Sequence, residues 1–284
     1  MRPLPRRVRL VILDLDGVVY RGTRAIPGAA ELVAALHARG TLVRFGTNNS
    51  TVTRAGYAER LQEMGIPAAA DEIVTSTTAT IVHLRHAAPD VQRILAVGAP
   101  GMLAELAEAG YAATAASEAA PRDFTGGPLP DRYDAVVVGL DPEVDYRRLG
   151  AAMSAIRSGA RFIATNADRR YPTAKGFMPG AGAIVASVAT ATEVIPEVIG
   201  KPQPAMFRAI LAAAAVPAGE AVVIGDNPEV DMVAAARAGI ASILVLSGVA
   251  DRAAGEAALG EHRPSVIADG PAEVVGLLDE RLDG

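Results

Sequence analysis

Cysteine and tryptophan are both missing from this chain of 284 residues, and aromatic residues make up only 4% of it. Without cysteine there is no disulfide, no thiolate metal site and no cysteine nucleophile, a usage that fits a reducing, cytoplasmic setting. With so few rings, Ala, Val, Leu and Ile must fill the interior, and a hydrophobic share of 50% makes a sizeable core feasible. A basic surface is missing too. The net charge is −5 and the Lys and Arg residues are scattered, which argues against nucleic acid or an anionic membrane as partner. No apolar stretch reaches the roughly 18 residues of a membrane span. The opening MRPLPRRVRLVILDLD imitates the basic region of a signal peptide, but its apolar part breaks at Asp14. That is short of the roughly 7–15 residues such a segment needs, so the stretch reads as a tail feeding a first strand.

What is present is an alternation of short apolar runs and Ala-rich helical segments. Strands are expected at Leu10–Leu13, Leu42–Gly46, Ile94–Val97, Ala135–Val138, Phe162–Ala164, Ala221–Ile224 and Ile243–Leu246. Helices are expected at Ala29–Arg39, after Thr53, and at Met102–Ala109, Tyr146–Ser158, Ala205–Ala215, Val230–Ala238 and Ala272–Leu282. Alternating strands and helices predict an α/β, doubly wound parallel sheet covered on both faces, which explains continuous runs such as AVVVGL and AVVIG. At roughly 100–200 residues per domain the length implies two domains or one with an insertion. The expected division is residues 1–80 and 191–284 for one domain and 81–190 for an inserted α/β domain. The Pro- and Gly-rich stretch 119–132 reads as a surface excursion.

In a doubly wound sheet, ligands bind beyond the carboxyl ends of the strands. Four polar clusters sit just past apolar runs. In DLDGV, Asp14 and Asp16 follow the first strand and Gly17 permits a tight turn. A polar turn is one reading; apolar neighbours on both sides favour two acids that share a cation. In FGTNNS, Thr47 and Asn48 offer donors suited to an anion such as phosphate, although Ser50 or Thr51 could equally cap the next helix. In GKPQP, Lys201 stands before Pro202, placed for a helix's first turn, either as a point charge for phosphate or as a solvated surface residue. In VVIGDNPEVDM, Asp226, Asn227 and Asp231 are oxygen donors of the kind magnesium takes, or simply helix-start acids. GAGAIV lacks the third Gly of a dinucleotide fingerprint and reads as the entry to a helix; the four histidines show no metal spacing.

Taken in order, DxDG, TNN, an isolated Lys and GDNxxxxD resemble the haloacid dehalogenase (HAD) superfamily in its phosphatase branch. The span from Asp16 to Thr47 leaves no room for a cap domain, while that from Thr47 to Lys201 is ample. Together with TNAD (165–168) and PGAG (179–182), the motifs resemble the class IIA, NagD-like or 4-nitrophenylphosphatase-like subfamily, with a Rossmann-like HAD core and an inserted α/β cap.

That resemblance implies a Mg²⁺-dependent phosphatase working through an aspartyl-phosphate. Asp14 is the implied nucleophile and Asp16 the general acid and base. Asp14, Asp226 and the backbone carbonyl of Asp16 are the implied metal ligands, with Asn227 and Asp231 in support. Thr47, Asn48 and Lys201 are implied to hold the phosphate, and Asn166, Asp168, Arg169 and Arg170 of the cap to meet the substrate. The expected substrate is a small phosphorylated metabolite, narrowly glycerol 3-phosphate or phosphoglycolate. The alternatives are a nucleotide or pyridoxal phosphate phosphatase, or a non-catalytic phosphometabolite-binding protein. A homodimer through the cap is an expectation resting on resemblance alone.

Overall fold

The computed structural model describes residues 2–282 except 121, 122, 124 and 174. The chain forms two compact units. One is built from Met1–Thr47, Arg54–Val74 and Lys201–Gly284, the other from Asn48–Thr53 and Thr75–Gly200. Against the expected 81–190, the main stretch of the second unit starts earlier, at Thr75, and ends later, at Gly200. The helix Ser76–Ala87 packs on the helix Pro100–Glu108, and the short strand Glu197–Val198 pairs with Arg161–Ala164, so both belong with the second unit.

The first unit is organised around a six-stranded sheet. Its order is Val266–Ala268, Ala241–Val245, Ala221–Gly225, Leu10–Leu13, Leu42–Thr47 and Ile73–Thr75. The strands from Val266–Ala268 across to Leu42–Thr47 pair in parallel. Every residue of Leu10–Leu13 and of Ala221–Gly225 is buried, as expected for strands covered on both faces. The chain builds outward from Leu10–Leu13 on one side and later returns to its other side through Ala221–Gly225. The junction of those two strands is therefore a topological switch point, where the loops leaving their carboxyl ends part and open a crevice. The register pairs Leu13 with Ile224, and the Asp14 N–H donates to the Ile224 carbonyl at 2.9 Å. Asp14 and Asp226 thus leave neighbouring strand ends.

The second unit holds a five-stranded parallel sheet in the order Glu197–Val198, Arg161–Ala164, Ala135–Val138, Arg93–Val97, Ala112–Ala115. Its core is aliphatic, with Val136, Val138, Ala152 and Ala164 fully buried. The helix Tyr146–Arg157 begins where the Asp145 side chain accepts the Arg148 N–H at 2.8 Å. A hairpin of Arg170–Thr173 and Gly176–Pro179 carries exposed Phe177 and Met178. Of the stretch 119–132, residues 121, 122 and 124 lie outside the described residues, and 125–128 are exposed. Among the described residues no helix is long and apolar enough to cross a membrane.

Candidate active site

The switch point collects acids. Asp14, Asp226 and Asp231 each bring a carboxylate oxygen within 4.8 Å of the others. Asp14 comes from the end of Leu10–Leu13 and Asp226 from the end of Ala221–Gly225. Asp231 is carried by a wide helical turn, Pro228–Met232, that runs into the helix Val233–Ala238. The expected helix over 230–238 therefore starts earlier, with Pro228 in its first turn and the Asn227 side chain accepting the Glu229 N–H at 3.0 Å. Asn227 spends its side-chain oxygen on that cap, so Asp231 is the one of the two that brings its side chain to the cluster. Asp231 is held from two sides, Oδ1 accepting from Lys201 and Oδ2 from the Asn227 N–H at 3.2 Å.

Lys201 is the counter-charge. It lies in a loop four residues before the helix Ala205–Ala214, rather than in that helix's first turn as its neighbour Pro202 suggests. Its Nζ donates to Asp14 Oδ1 at 2.6 Å, Asp231 Oδ1 at 2.8 Å and the Gly46 carbonyl at 3.0 Å. A lysine only 2% exposed needs such partners, because an unpaired buried ammonium is prohibitively costly. Burial on its own would lower Lys201, but Asp14 and Asp231 outweigh it and hold the ammonium above its ordinary range.

Three carboxylates still face one ammonium. Burial pushes Asp14 up to about 7, with Asp231 adding to the shift and Lys201 opposing it. Burial, then the charges of Asp231 and Asp14, push Asp226 up to about 8. The two surplus negative charges and the all-oxygen donor set fit a divalent hard cation such as Mg²⁺. A consequence is measurable in EDTA. Between roughly pH 4 and pH 8 the folded protein keeps protons on Asp14 and Asp226 that the unfolded chain has released, so stability falls as pH rises through that window. The thermal midpoint in EDTA should be lower at pH 8 than at pH 5, and Mg²⁺ should raise it more at pH 8. Calorimetry showing a midpoint that rises with pH over this range would contradict the assignment.

Asp16 lies outside the cluster of Asp14, Asp226 and Asp231 and is exposed, and Gly17 after it takes φ 84°. Desolvation by its surroundings raises its pKa, while Arg60 and Arg21 oppose the rise. Thr47 ends its strand and is buried.

The second unit gathers another set. The Asn48 amide donates to both oxygens of Asp168 at 3.1 Å each. The Asn166 amide donates to the Asn48 carbonyl at 2.7 Å, and the Asn166 side-chain oxygen accepts the Asp168 N–H at 3.1 Å. The TNAD segment is thus a knot around Asn48, whose side-chain amide is engaged by Asp168. Arg169 and Arg170 are exposed, with the Arg170 guanidinium 5.7 Å from the Phe177 ring. Three of the histidines have partners, His37 with Glu72 at 2.9 Å, His83 with Glu197 at 3.0 Å and His86 with the Val82 carbonyl at 2.8 Å.

Sequence reasoning missed the loop Ser247–Ala250. Its Val249 N–H donates to Asp226 Oδ2 at 2.7 Å, and its Ala250 N–H to the Asp226 carbonyl at 3.1 Å. A Cβ added to Gly248 would lie 1.9 Å from Asp226 Oδ2, so only glycine lets the loop close on that acid. The SG pair after an apolar run was the available signal, and it reads as an ordinary turn.

Two family models match the chain, one for haloacid dehalogenase-like hydrolases over residues 11–112 and a HAD-hydrolase-like one over 198–274. The acid sugar phosphatase of Staphylococcus epidermidis is 35% identical over 84% of this chain and 86% of its own length. The glycerol phosphate phosphatase of Mycobacterium tuberculosis, solved in complex with magnesium, is 32% identical. It covers 95% of this chain and 78% of its own, with a TM-score of 0.82. NagD of Escherichia coli is 31% identical over 94% of this chain and 98% of its own, also with a TM-score of 0.82.

Proposed function

The chain belongs to the haloacid dehalogenase-like hydrolases, in their NagD-like phosphatase branch, and from that premise we propose that it is a Mg²⁺-dependent phosphatase of small polyol or sugar-acid phosphates, glycerol 3-phosphate and phosphoglycolate foremost. The observation that carries the reading is the cluster of three carboxylates at the switch point, two of which, Asp14 and Asp231, pair with the buried Lys201. The magnesium-bound glycerol phosphate phosphatase among its structural relatives supports both metal and substrate class.

Asp14 and Asp226, with the Asp16 backbone carbonyl, would hold the cation, and Asp231 would brace them. When bound, Mg²⁺ neutralises charge between a carboxylate and a phosphate dianion that otherwise repel. Asp14 attacks phosphorus, the bond to the ester oxygen breaks, and Asp16 delivers a proton to the departing alkoxide. Its raised pKa favours the protonated form needed at that moment. Asp16, now a carboxylate, takes a proton from water as that water attacks phosphorus. Inorganic phosphate leaves and Asp14 is restored. Lys201 holds Asp14 by one oxygen and, with Thr47, supplies positive charge and a hydroxyl to the non-bridging oxygens. In this reading the second unit is the cap, and Asp168, Arg169 and Arg170 are its candidates for reading the alcohol.

The test is phosphate release from 4-nitrophenyl phosphate, glycerol 3-phosphate, phosphoglycolate, sugar phosphates, nucleotides and pyridoxal phosphate, with Mg²⁺ or EDTA. Metal-dependent release led by the small polyol or acid esters is expected. Asp16→Ala should slow that release by about 10²–10⁴-fold. Release from no ester, with the protein folded and Mg²⁺ present, would turn the assignment toward a non-catalytic binding role.

A further inference from the structure

A short hairpin follows the first two aspartates, Tyr20–Arg21 paired with Arg24–Ala25. It carries an arginine whose only part in the chemistry above is its charge, which opposes the raised pKa of Asp16. Arg21 Nη2 donates to two successive backbone carbonyls, Ser247 at 2.5 Å and Gly248 at 3.1 Å. These belong to the loop that grips Asp226 through the Val249 N–H. Ser247 adds a second tie, its Oγ donating to the Gly17 carbonyl at 2.7 Å. Gly17 itself abuts the acid, since a Cβ there would fall 2.2 Å from Asp226 Oδ2. The hairpin is anchored at its far side as well. Arg60, on the helix Arg54–Glu63, stacks 4.4 Å above the Tyr20 ring and donates to the Gly22 carbonyl.

Asp226 lies one residue past its strand, Ala221–Gly225, and the Ala250 N–H of the loop holds its carbonyl at 3.1 Å, but neither aims its carboxylate. The aim depends on one bond, from Val249, in a loop with no sheet of its own. We propose that Arg21 is a positioning residue for the divalent cation. By clasping Ser247 and Gly248 to the hairpin, it sets the loop that holds Asp226 Oδ2, so that Oδ1 would be left for the cation. The inference rests on the metal reading given under the proposed function. Arginine suits the task because Nη2 carries two N–H groups in the fixed plane of the guanidinium, one for each carbonyl, whereas a lysine ammonium is a freely rotating point charge.

The test compares wild type, Arg21→Ala, Arg21→Lys and Asp226→Asn. Mn²⁺ binding is followed by paramagnetic resonance, since Mn²⁺ shares the oxygen preference of Mg²⁺. Half-saturating Mg²⁺, kcat and KM for the best ester, and thermal midpoints are measured alongside. Wild type should bind Mn²⁺ and Asp226→Asn should not. Arg21→Ala should weaken Mn²⁺ binding about tenfold, as expected for losing hydrogen bonds from a charged donor, and raise half-saturating Mg²⁺ by a similar factor. Its KM for the ester at saturating Mg²⁺ should stay within about twofold of wild type, and Arg21→Lys should fall between the two in Mn²⁺ affinity. A lowered thermal midpoint with unchanged Mn²⁺ affinity would overturn the proposal and leave Arg21 a loop strut. If Arg21→Ala does not fold, Arg21→Lys decides by the same comparison. Wild type that binds no Mn²⁺ would overturn the metal reading and this inference together, whereas equal binding by wild type and both Arg21 variants would overturn only the role of Arg21.

Discussion

Asp14→Asn should abolish Mg²⁺-dependent phosphate release, by about 10⁴–10⁶-fold, and at the same time make the metal-free protein more stable at pH 8. The loss of activity follows from removing a nucleophile for which no neighbour substitutes. The gain in stability follows from charge. Asp14 lies within 4.8 Å of two further carboxylates and shares one ammonium with Asp231. An amide of the same shape relieves that repulsion, while Lys201 keeps Asp231 and the Gly46 carbonyl as partners. Relief of about 1–2 kcal/mol is a reasonable scale for neutralising one member of a buried charge cluster. The effect should fade below pH 7, because burial raises Asp14 to about 7 and wild type is then already protonated there. Urea denaturation in EDTA at pH 5 and pH 8, beside the phosphate assay, checks both halves. A variant that still turns over, or one less stable than wild type at pH 8, would refute the picture.

Lys201→Met should have the opposite effect on stability. It removes the ammonium that, among the described residues, pairs with both Asp14 and Asp231, leaving carboxylates buried without it. Breaking a buried pair by deleting one partner costs about 3–5 kcal/mol, a large share of the roughly 5–15 kcal/mol that holds a typical domain together. The loss should be greatest at pH 8 in EDTA and should shrink at pH 5, where Asp14 and Asp226 take up protons, or on adding Mg²⁺, which supplies the missing charge. Activity should fall by about 10²–10³-fold even when the protein is folded, since a fixed positive charge near the transferred phosphoryl group is gone. A Lys201→Met protein as stable as wild type at pH 8 in EDTA would show that the ammonium is not the counter-ion of the cluster.

How much of this is legible without coordinates differs from element to element. The buried strands Leu10–Leu13, Ala135–Val138 and Ala221–Gly225 stand out because a strand covered on both faces needs an unbroken apolar run. The two hairpins do not stand out. Tyr20–Arg21 and Arg24–Ala25 are two-residue strands, too short for any period to show, and Arg170–Thr173 with Gly176–Pro179 is polar and exposed. The strand Glu197–Val198 joins a sheet whose other members lie far back in the chain, so the domain boundary near it could not be drawn from composition.

The chemistry divides the same way. The acids after the strands, the isolated lysine and the TNAD segment are visible as types in order, and the order is enough to indicate phosphoryl transfer. The sequence by itself determined which chemical groups leave which strand ends, because apolar period and turn residues are local properties. Tertiary structure alone decided their partners. Asp14 meets Asp226 because the chain returns to the far side of its first strand, a choice of strand order that no local pattern records. It also decided that Lys201 reaches Asp14 and Asp231, that the Asn48 amide is taken by Asp168, and that Gly248 must be small because Asp226 lies against it. Such contacts join residues far apart in the chain, and only folding brings them within hydrogen-bond range.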